Sequence, residues 1–378
     1  MSSPSDEAVA CTKRPADTAF KQQRMRAWKP IMTTGSVVPA FLIVGVIFLP
    51  LGILFLFTSN NVNEVVVDYT HCNASSVSNS LYLTSPGMSC ADYIQATNFT
   101  ENCYCNISFQ LSSAMTGKVY MYYGLENFYQ NHRRYVRARS DYQLLGNPTY
   151  TVSDCEPFRY ANGTTTPIAP CGAIANSLFN DSLTLTFQNT TGNVNVGLID
   201  RGIAWSVDLS IKYNNPTVQT GFPLRYGFNG TAKPPYWRKP VYELSSDPNN
   251  NGFKNEDLIV WMRTAALPRF RKLYRKVNHT QAGFVNGLPS GNYFFNVEYN
   301  FPVTTFSGKK RLILSTASWL GGKNPFLGIA YITVGSMCIV LGFLCLFYHY
   351  QYANRPRQLD VSSRNSFTTR KSQTSHDF

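Results

Sequence analysis

Residues 37–57 and 326–348 carry no charged side chain. A helix of 21 or 23 residues is long enough to cross a hydrocarbon layer about 30 Å thick. A soluble enzyme rarely builds two core helices without one charge. A cleavable signal peptide fits the first run poorly, because 36 residues precede it and its apolar core is longer than such peptides carry. The expectation is a membrane protein with two transmembrane α-helices, divided into a tail (1–36), a first span (37–57), a large middle segment (58–325), a second span (326–348) and a second tail (349–378).

Three patterns bear on which side the middle segment faces. Arg24, Arg26 and Lys29 stand before the first span, and the fifteen residues after it contain no Lys or Arg, the asymmetry expected of a cytosolic first tail. Asn-x-Ser/Thr sequons occur at Asn73, Asn98, Asn106, Asn162, Asn180, Asn189, Asn229 and Asn278, all between the spans. Six of nine cysteines (Cys72, Cys90, Cys103, Cys105, Cys155 and Cys171) lie there too. An even count suits a disulfide framework in an oxidising compartment. Cys103 and Cys105 also resemble a metal clip, but no histidine cluster accompanies them. Six cysteines allow fifteen pairings, and spacing alone does not choose among them. The middle segment is therefore expected to be lumenal or extracellular, glycosylated and disulfide-stapled, with both termini cytosolic.

Charge follows that division. The chain has 34 Lys and Arg against 21 Asp and Glu, a net +13. The two tails hold 11 basic and 5 acidic residues, and the middle holds 23 and 16. The tails suit an anionic inner leaflet. With most of the excess on the other side of the membrane, no nucleic-acid partner is expected.

The middle segment alternates short β-like runs with Asn, Gly and Pro. Residues 65–69, 119–123, 183–187, 204–211 and 293–299 read as strands. Residues 255–266 read as a helix with Glu256 and Asp257 in its first turn. The expected architecture is one mainly antiparallel-β ectodomain. In the first tail, Phe20, Ala27, Trp28 and Ile31 share one helical face, consistent with an in-plane helix or with a flexible tail. The second tail, rich in Arg, Ser and Thr, is expected to be disordered, with phosphorylation and a merely solubilising role both open.

No nucleophile elbow, zinc helix or phosphate-binding loop is present, so neither a catalytic site nor a cofactor is expected. His71, His132 and His279 are scattered, and the acidic pairs Asp154/Glu156 and Glu256/Asp257 resemble solvated faces more than a glycosidase pair. The spans hold no ionisable group of the kind that marks an ion or substrate path. Gly328, Gly335 and Gly342 recur every seven residues on one face of the second span, and Gly45 and Gly52 share that interval in the first. Small residues let helix backbones approach closely in lipid. Two stretches, 127–139 and 267–276, interleave arginines with aromatic residues. They suit lipid headgroups, an acidic partner, or arginines stacked on rings inside the fold.

Several of these blocks resemble the cell-cycle-control-fifty family, also called Lem-three or transmembrane protein thirty. They are Asp17, Phe20, Arg24, Trp28 and Pro30 in the first tail; Tyr122, Tyr123, Asn127, Asn131 and Arg133 to Tyr135; residues 167–181; residues 256–270 around Trp261; and Gly321, Gly322, Pro325, Phe326 and Gly328. The resemblance runs from about residue 17 to 348. It implies a non-catalytic β-subunit of type-IV P-type ATPases, the phospholipid flippases. Such a subunit would pair with the catalytic α-subunit and with membrane phospholipids. It would let the complex leave the endoplasmic reticulum for the Golgi, endosomes and plasma membrane, and support aminophospholipid transfer. It also implies nested Cys72–Cys105 and Cys90–Cys103 bridges with Cys155–Cys171, and a glycan foremost at Asn180. Beside the resemblance, the tail and the glycine-striped spans suggest a clamp on the partner, with contacts expected through Phe20, Arg24, Trp28, Gly328, Gly335 and Gly342. A stand-alone adhesion or receptor protein is the alternative reading.

Overall fold

The computed structural model describes residues 16–25, 33–77, 87–97, 101–189 and 192–353. In chain order these form α1 (Thr34–Asn60), β1 (Glu64–Asp68), β2 (Ser76–Val77), α2 (Cys90–Ala96), β3 (Cys103–Leu111), β4 (Met115–Thr116), β5 (Val119–Glu126), α3 (Arg133–Arg137), α4 (Asp141–Leu144), α5 (Ala173–Asn176), β6 (Ser182–Asn189), β7 (Gly192–Val196), β8 (Leu198–Ile199), α6 (Glu256–Met262), β9 (Phe270–Val277), β10 (Gly287–Leu288), β11 (Gly291–Tyr299), β12 (Lys309–Thr316) and α7 (Phe326–Ala353). The chain divides into a helical unit around α1 and α7 and a β unit spanning residues 55–325.

The β unit contains two five-stranded sheets, ordered β1-β12-β5-β9-β8 and β2-β3-β11-β6-β7, with a small β4–β10 pair. The strand ladders are antiparallel. Alternation sets which side chains turn inward. Along β11, Tyr293, Phe295, Val297 and Tyr299 are buried and the residues between them are not. They join Met121, Tyr123 and Leu125 of β5 and Leu312 and Leu314 of β12 in one core. The first and last strands pair, Glu64 opposite Ser315. Thr316 N–H donates to the Asn63 carbonyl at 3.0 Å, and Asn324 N–H donates to Ser59 Oγ at 2.9 Å. The chain thus enters and leaves the β unit along one seam.

Three disulfides cross-link this unit: Cys72–Cys105, Cys90–Cys103 and Cys155–Cys171, with Cα separations of 6.1, 5.6 and 5.6 Å. Cys103 and Cys105 are two apart on β3 and point to the same face, so two bridges stack side by side. That stacking also brings the sulfurs of Cys72, Cys90 and Cys105 within 4.8 Å of one another. Each of these sulfurs is held in a disulfide, Cys72 with Cys105 and Cys90 with Cys103, so none is a thiolate for a metal.

Two local expectations are corrected. Residues 204–211 are not a strand: helical geometry begins at Ser206, with a π-type turn over Asp208–Lys212. The alternating pattern is real, but the backbone N–H groups of Gly202, Ile203 and Ala204 donate to the Glu256 carboxylate at 2.9, 2.7 and 2.9 Å and are lost to any sheet ladder. Asp208 accepts from Lys212 one turn on, at 2.7 Å, which supports the helical turn. The helix expected over 255–266 is shorter. Asn255 caps its start by accepting from Leu258 N–H at 3.0 Å. The Lys272 ammonium ends it by donating to the carbonyls of Val260, Trp261 and Arg263 at 3.0, 2.6 and 2.7 Å.

In the helical unit, α1 runs unbroken through Pro39 and Pro50, and α7 continues five residues past Tyr348. Both are long and apolar enough to span a membrane, and little of either is buried within the protein. Their glycines meet each other. A methyl group at Gly45 would stand 3.0 Å from the Gly335 carbonyl oxygen, and one at Gly52 would stand 3.0 Å from that of Gly328. One at Gly335 would come within 3.0 Å of Leu49 N, and one at Gly342 within 2.9 Å of Leu42 Cδ2. Phe48 and Tyr331 stack beside this seam at 4.7 Å. Gly328, Gly335 and Gly342, expected at a partner helix, lie in this structure against α1 of the same chain.

Candidate partner-facing surfaces and the charges behind them

The centre of the β unit holds a charge pair with no exposure at all. Lys310 on β12 reaches Asp181, just ahead of β6, at 2.6 Å. Asp181 Oδ2 also accepts from the Tyr69 hydroxyl at 2.9 Å, and Oδ1 accepts from Asn300 N–H and Phe301 N–H at 2.6 Å each. The ammonium donates to the Phe301 carbonyl at 2.8 Å and lies 3.0 Å from the Tyr299 ring centroid. Burial pushes the Lys310 ammonium down to about 8, opposed by the attraction of Asp181. Both ions are saturated with partners, the condition under which a buried pair is tolerated. The pair ties residues 69, 181, 300 and 310, far apart in sequence, to one point. No local pattern announces it.

The acidic pair at the start of α6 is likewise structural. Glu256 is buried and occupied by the three N–H groups already described, with Arg201 Nε at 3.4 Å. Asp257 pairs with Arg275 through both oxygens, at 2.5 and 3.1 Å. Burial raises the Asp257 carboxyl above its usual value, and Arg275 opposes the rise. The solvated-face expectation fails for Glu256, which is internal. His71 and His132 are exposed, while His279 accepts from Val119 N–H at 3.1 Å.

The two basic stretches separate. Most of the cations in 267–276 are consumed within the fold. Arg269 pairs with Glu126 at 2.5 Å, Arg271 with Glu64 at 2.6 Å and Arg275 with Asp257, while Lys272 is buried beneath α6. Burial lowers the Lys272 ammonium well below its usual value. In 127–139 Phe128 and Tyr135 turn in, Tyr129 is exposed, and Arg139 pairs with Asp141 at 2.9 Å. Phe128 sits among the rings of Tyr135, Trp261, Phe270, Phe301 and Phe306 at 5.6–6.3 Å. Arg133, Arg134 and Arg137 are exposed on α3 and line a cleft of about 410 Å³ with Ser153, Asp154 and Glu156. Arg137 approaches Asp154 at 3.7 Å. This cationic face is the outward-facing part of the two stretches.

Of the sequon asparagines, Asn73, Asn106, Asn162, Asn180, Asn189 and Asn229 are exposed, and Asn278 is half-buried, its Oδ1 accepting from Thr280. Asn98 lies outside the described residues, as do Trp28, residues 1–15 and residues 354–378. In the first tail, residues 19–23 form a turn, with Gln22 N–H donating to the Thr18 carbonyl and Gln23 at φ 54°. Phe20 is exposed, and Arg24 pairs with Asp17. The described part of the expected in-plane helix is one closed turn, and Phe20 and Arg24 are held on it.

Two helices long and apolar enough to span a membrane, packed on a glycine seam, flank in sequence a mostly antiparallel β unit with three disulfides, which is the pattern of a two-span membrane protein. The chain belongs to the LEM3 (ligand-effect modulator 3) / CDC50 family, whose model matches residues 55–355. It is 50% identical over 359 residues to cell cycle control protein 50A of Bos taurus, covering 94% of each chain. It is 47% identical over 352 residues to cell cycle control protein 50B of Homo sapiens, covering 90% of this chain and 95% of that one. With ALA-interacting subunit 3 of Arabidopsis thaliana it shares 41% identity over 352 residues, 92% and 89% of the two.

Proposed function

We propose that the protein is the non-catalytic β-subunit of a type-IV P-type ATPase phospholipid flippase. In this reading it is needed for folding of the catalytic subunit, for exit from the endoplasmic reticulum and for aminophospholipid transfer to the cytosolic leaflet. The observation that carries the reading is family membership over most of the chain, which includes a plant relative named as an interacting subunit. ATP hydrolysis and the lipid path belong to the partner. The charge-free spans and the internally paired acids of α6 agree with that division.

Partner contact is assigned to three places. The turn at Phe20 and Arg24, with Trp28 beyond it, holds the cytosolic side. The β unit caps the partner's exoplasmic loops, with Arg133, Arg134 and Arg137 meeting acidic groups there. Within the membrane, the outer faces of α1 and α7, where Ile43, Val46, Ile47, Phe343 and Phe347 are exposed, lie against a partner helix. Both termini are cytosolic, and the glycans, foremost at Asn180, are on the exoplasmic side. The addresses are the endoplasmic reticulum, Golgi, endosomes and plasma membrane.

The test is affinity isolation from cells in mild detergent, with the co-purifying proteins identified by mass spectrometry. A stoichiometric P-type ATPase, lost when the spans are exchanged for unrelated apolar helices, is the expected outcome. Recovery of the chain alone, with normal delivery to the cell surface, would replace the subunit reading with a receptor or adhesion role.

A further inference from the structure

Between β12 and α7 the chain makes a tight reversal whose tip is Trp319-Leu320. Ser318 N–H donates to the Gly321 carbonyl at 2.8 Å, and Gly321 N–H returns the bond to the Ser318 carbonyl at 2.9 Å. The Ser318 hydroxyl accepts from Leu320 N–H at 3.3 Å, and Gly321 takes the φ of 104° that the reversal needs. These bonds fix a two-residue tip and turn its side chains outward. Trp319 is 72% exposed and Leu320 39%. An indole held in the open on a braced turn asks what covers it.

The position of the turn supplies the answer. The Trp319 ring lies 6.3 Å from the ring of Phe55. Phe55 is two residues before the end of the uncharged run 37–57, about 3 Å along a helix axis. Phe57, at that end, is 65% exposed. The Asn324–Ser59 hydrogen bond holds the chain that follows the turn at the same level. The headgroup layer is roughly 5–8 Å deep on each side of the hydrocarbon, so a ring beside Phe55 falls at its inner boundary. Indoles favour that depth, where the ring is shielded and the N–H stays wet. Charge agrees: residues 317–328 contain no acid and one base, Lys323, suited to lipid phosphate.

We infer that the Trp319-Leu320 turn is a membrane anchor of the β unit, inserted into the lipid headgroup–acyl boundary of the exoplasmic leaflet. It rests on the two-span reading. It fixes the seam where the chain leaves the β unit at a set depth against the bilayer, while residues 323–325 lead into α7.

Quenching of tryptophan emission by brominated lipids tests this in the full-length chain reconstituted in nanodiscs. The chain has five tryptophans. Trp237 and Trp261 are buried in the β unit and lie beyond the reach of collisional quenchers. In a W28F/W205F background the quenchable emission is therefore that of Trp319. Bromines high on the acyl chain should quench this component severalfold more than bromines near the chain end, and W319F should remove the difference. As a second readout in the same W28F/W205F background, 5-fluorotryptophan-labelled protein should show one resonance broadened by headgroup-labelled paramagnetic lipid, and W319F should remove it.

Insertion into nanodiscs without lipid quenching, or free quenching of Trp319 by aqueous iodide, overturns the anchor alone. Quenching in the isolated chain that disappears in a complex makes the turn a protein contact and overturns the inference too. Failure to enter nanodiscs at all overturns the two-span reading, and the anchor with it.

Discussion

The two units of this chain solve the same problem with opposite means. The β unit buries charge: Lys310 and Asp181 sit at zero exposure, surrounded by hydroxyls, amides and rings. The helical unit removes side chains altogether, and α1 and α7 touch where Gly45, Gly52, Gly328 and Gly335 have none. Water explains the difference. A domain in water gains by withdrawing apolar surface, and can offset a buried ion pair if every partner is present. Helices in lipid gain nothing by hiding leucine from hydrocarbon, so close backbone contact is what remains to hold them together. The first arrangement should be brittle toward loss of one group, the second toward gain of one.

The largest effect is expected at the buried pair. Lys310→Met leaves the Asp181 carboxylate uncompensated in the core. A destabilisation of about 3–5 kcal/mol follows from breaking such a pair, read as loss of the thermal transition or retention in the endoplasmic reticulum. The double variant Lys310→Met/Asp181→Asn removes both charges and should recover much of that loss. If the double variant is as damaged as the single, charge compensation is not what the pair supplies. Next comes the stacked bridge: Cys90→Ser/Cys103→Ser should cost about 2–5 kcal/mol, seen as a lowered Tm and a protease-sensitive segment near α2, with Cys155–Cys171 intact by peptide mapping.

The helical unit should respond to added bulk. Gly335→Leu places a branched side chain where a methyl already lies 3.0 Å from Leu49 N and 3.2 Å from Phe48 Cβ. Overpacking of this kind costs about 1–3 kcal/mol. Engineered cross-linking between cysteines on α1 and α7 should fall, whereas Val340→Leu on the exposed face should leave it unchanged. Loss of partner recovery with full retention of the α1–α7 cross-link would return the glycines to an intermolecular role and break the comparison.

What was legible in the sequence divides along the same line. The spans stood out because lipid demands an unbroken run. The strands at 65–69, 119–123, 183–187 and 293–299 fall on β1, β5, β6 and β11 because alternation survives wherever one face is buried. Residues 204–211 carried the same alternation and became a helical turn, since their neighbouring N–H groups were claimed by Glu256 fifty residues on. The glycine stripe was readable as a contact face, but its mate was not. Periodicity reports that a face is covered and never by what. Asp181 was invisible as a keystone, because its partners come from residues 69, 300 and 310 and no spacing rule joins them. The cysteine pairing had to come from the family resemblance, since fifteen pairings were open on composition alone.

The smallest effect on the fold should come from the exposed arginines of α3. Arg133, Arg134 and Arg137 are exposed, and among the described residues Arg137 approaches the Asp154 carboxylate at 3.7 Å, a surface pair worth about 0–1 kcal/mol. Replacing all three with alanine should therefore shift Tm by little, while the neighbouring Phe128 ring cluster stays packed. The reading that these side chains meet acidic groups on a partner makes a separate demand. Recovery of the co-purifying ATPase should drop in the triple variant, and for the parent chain it should fall as salt is raised, because contacts between exposed charges are screened. A triple variant that binds as well as the parent at low salt would leave α3 as a solvated edge of the β unit. One that fails to fold would mean that its arginines belong, like Arg275, to the interior's charge pairs.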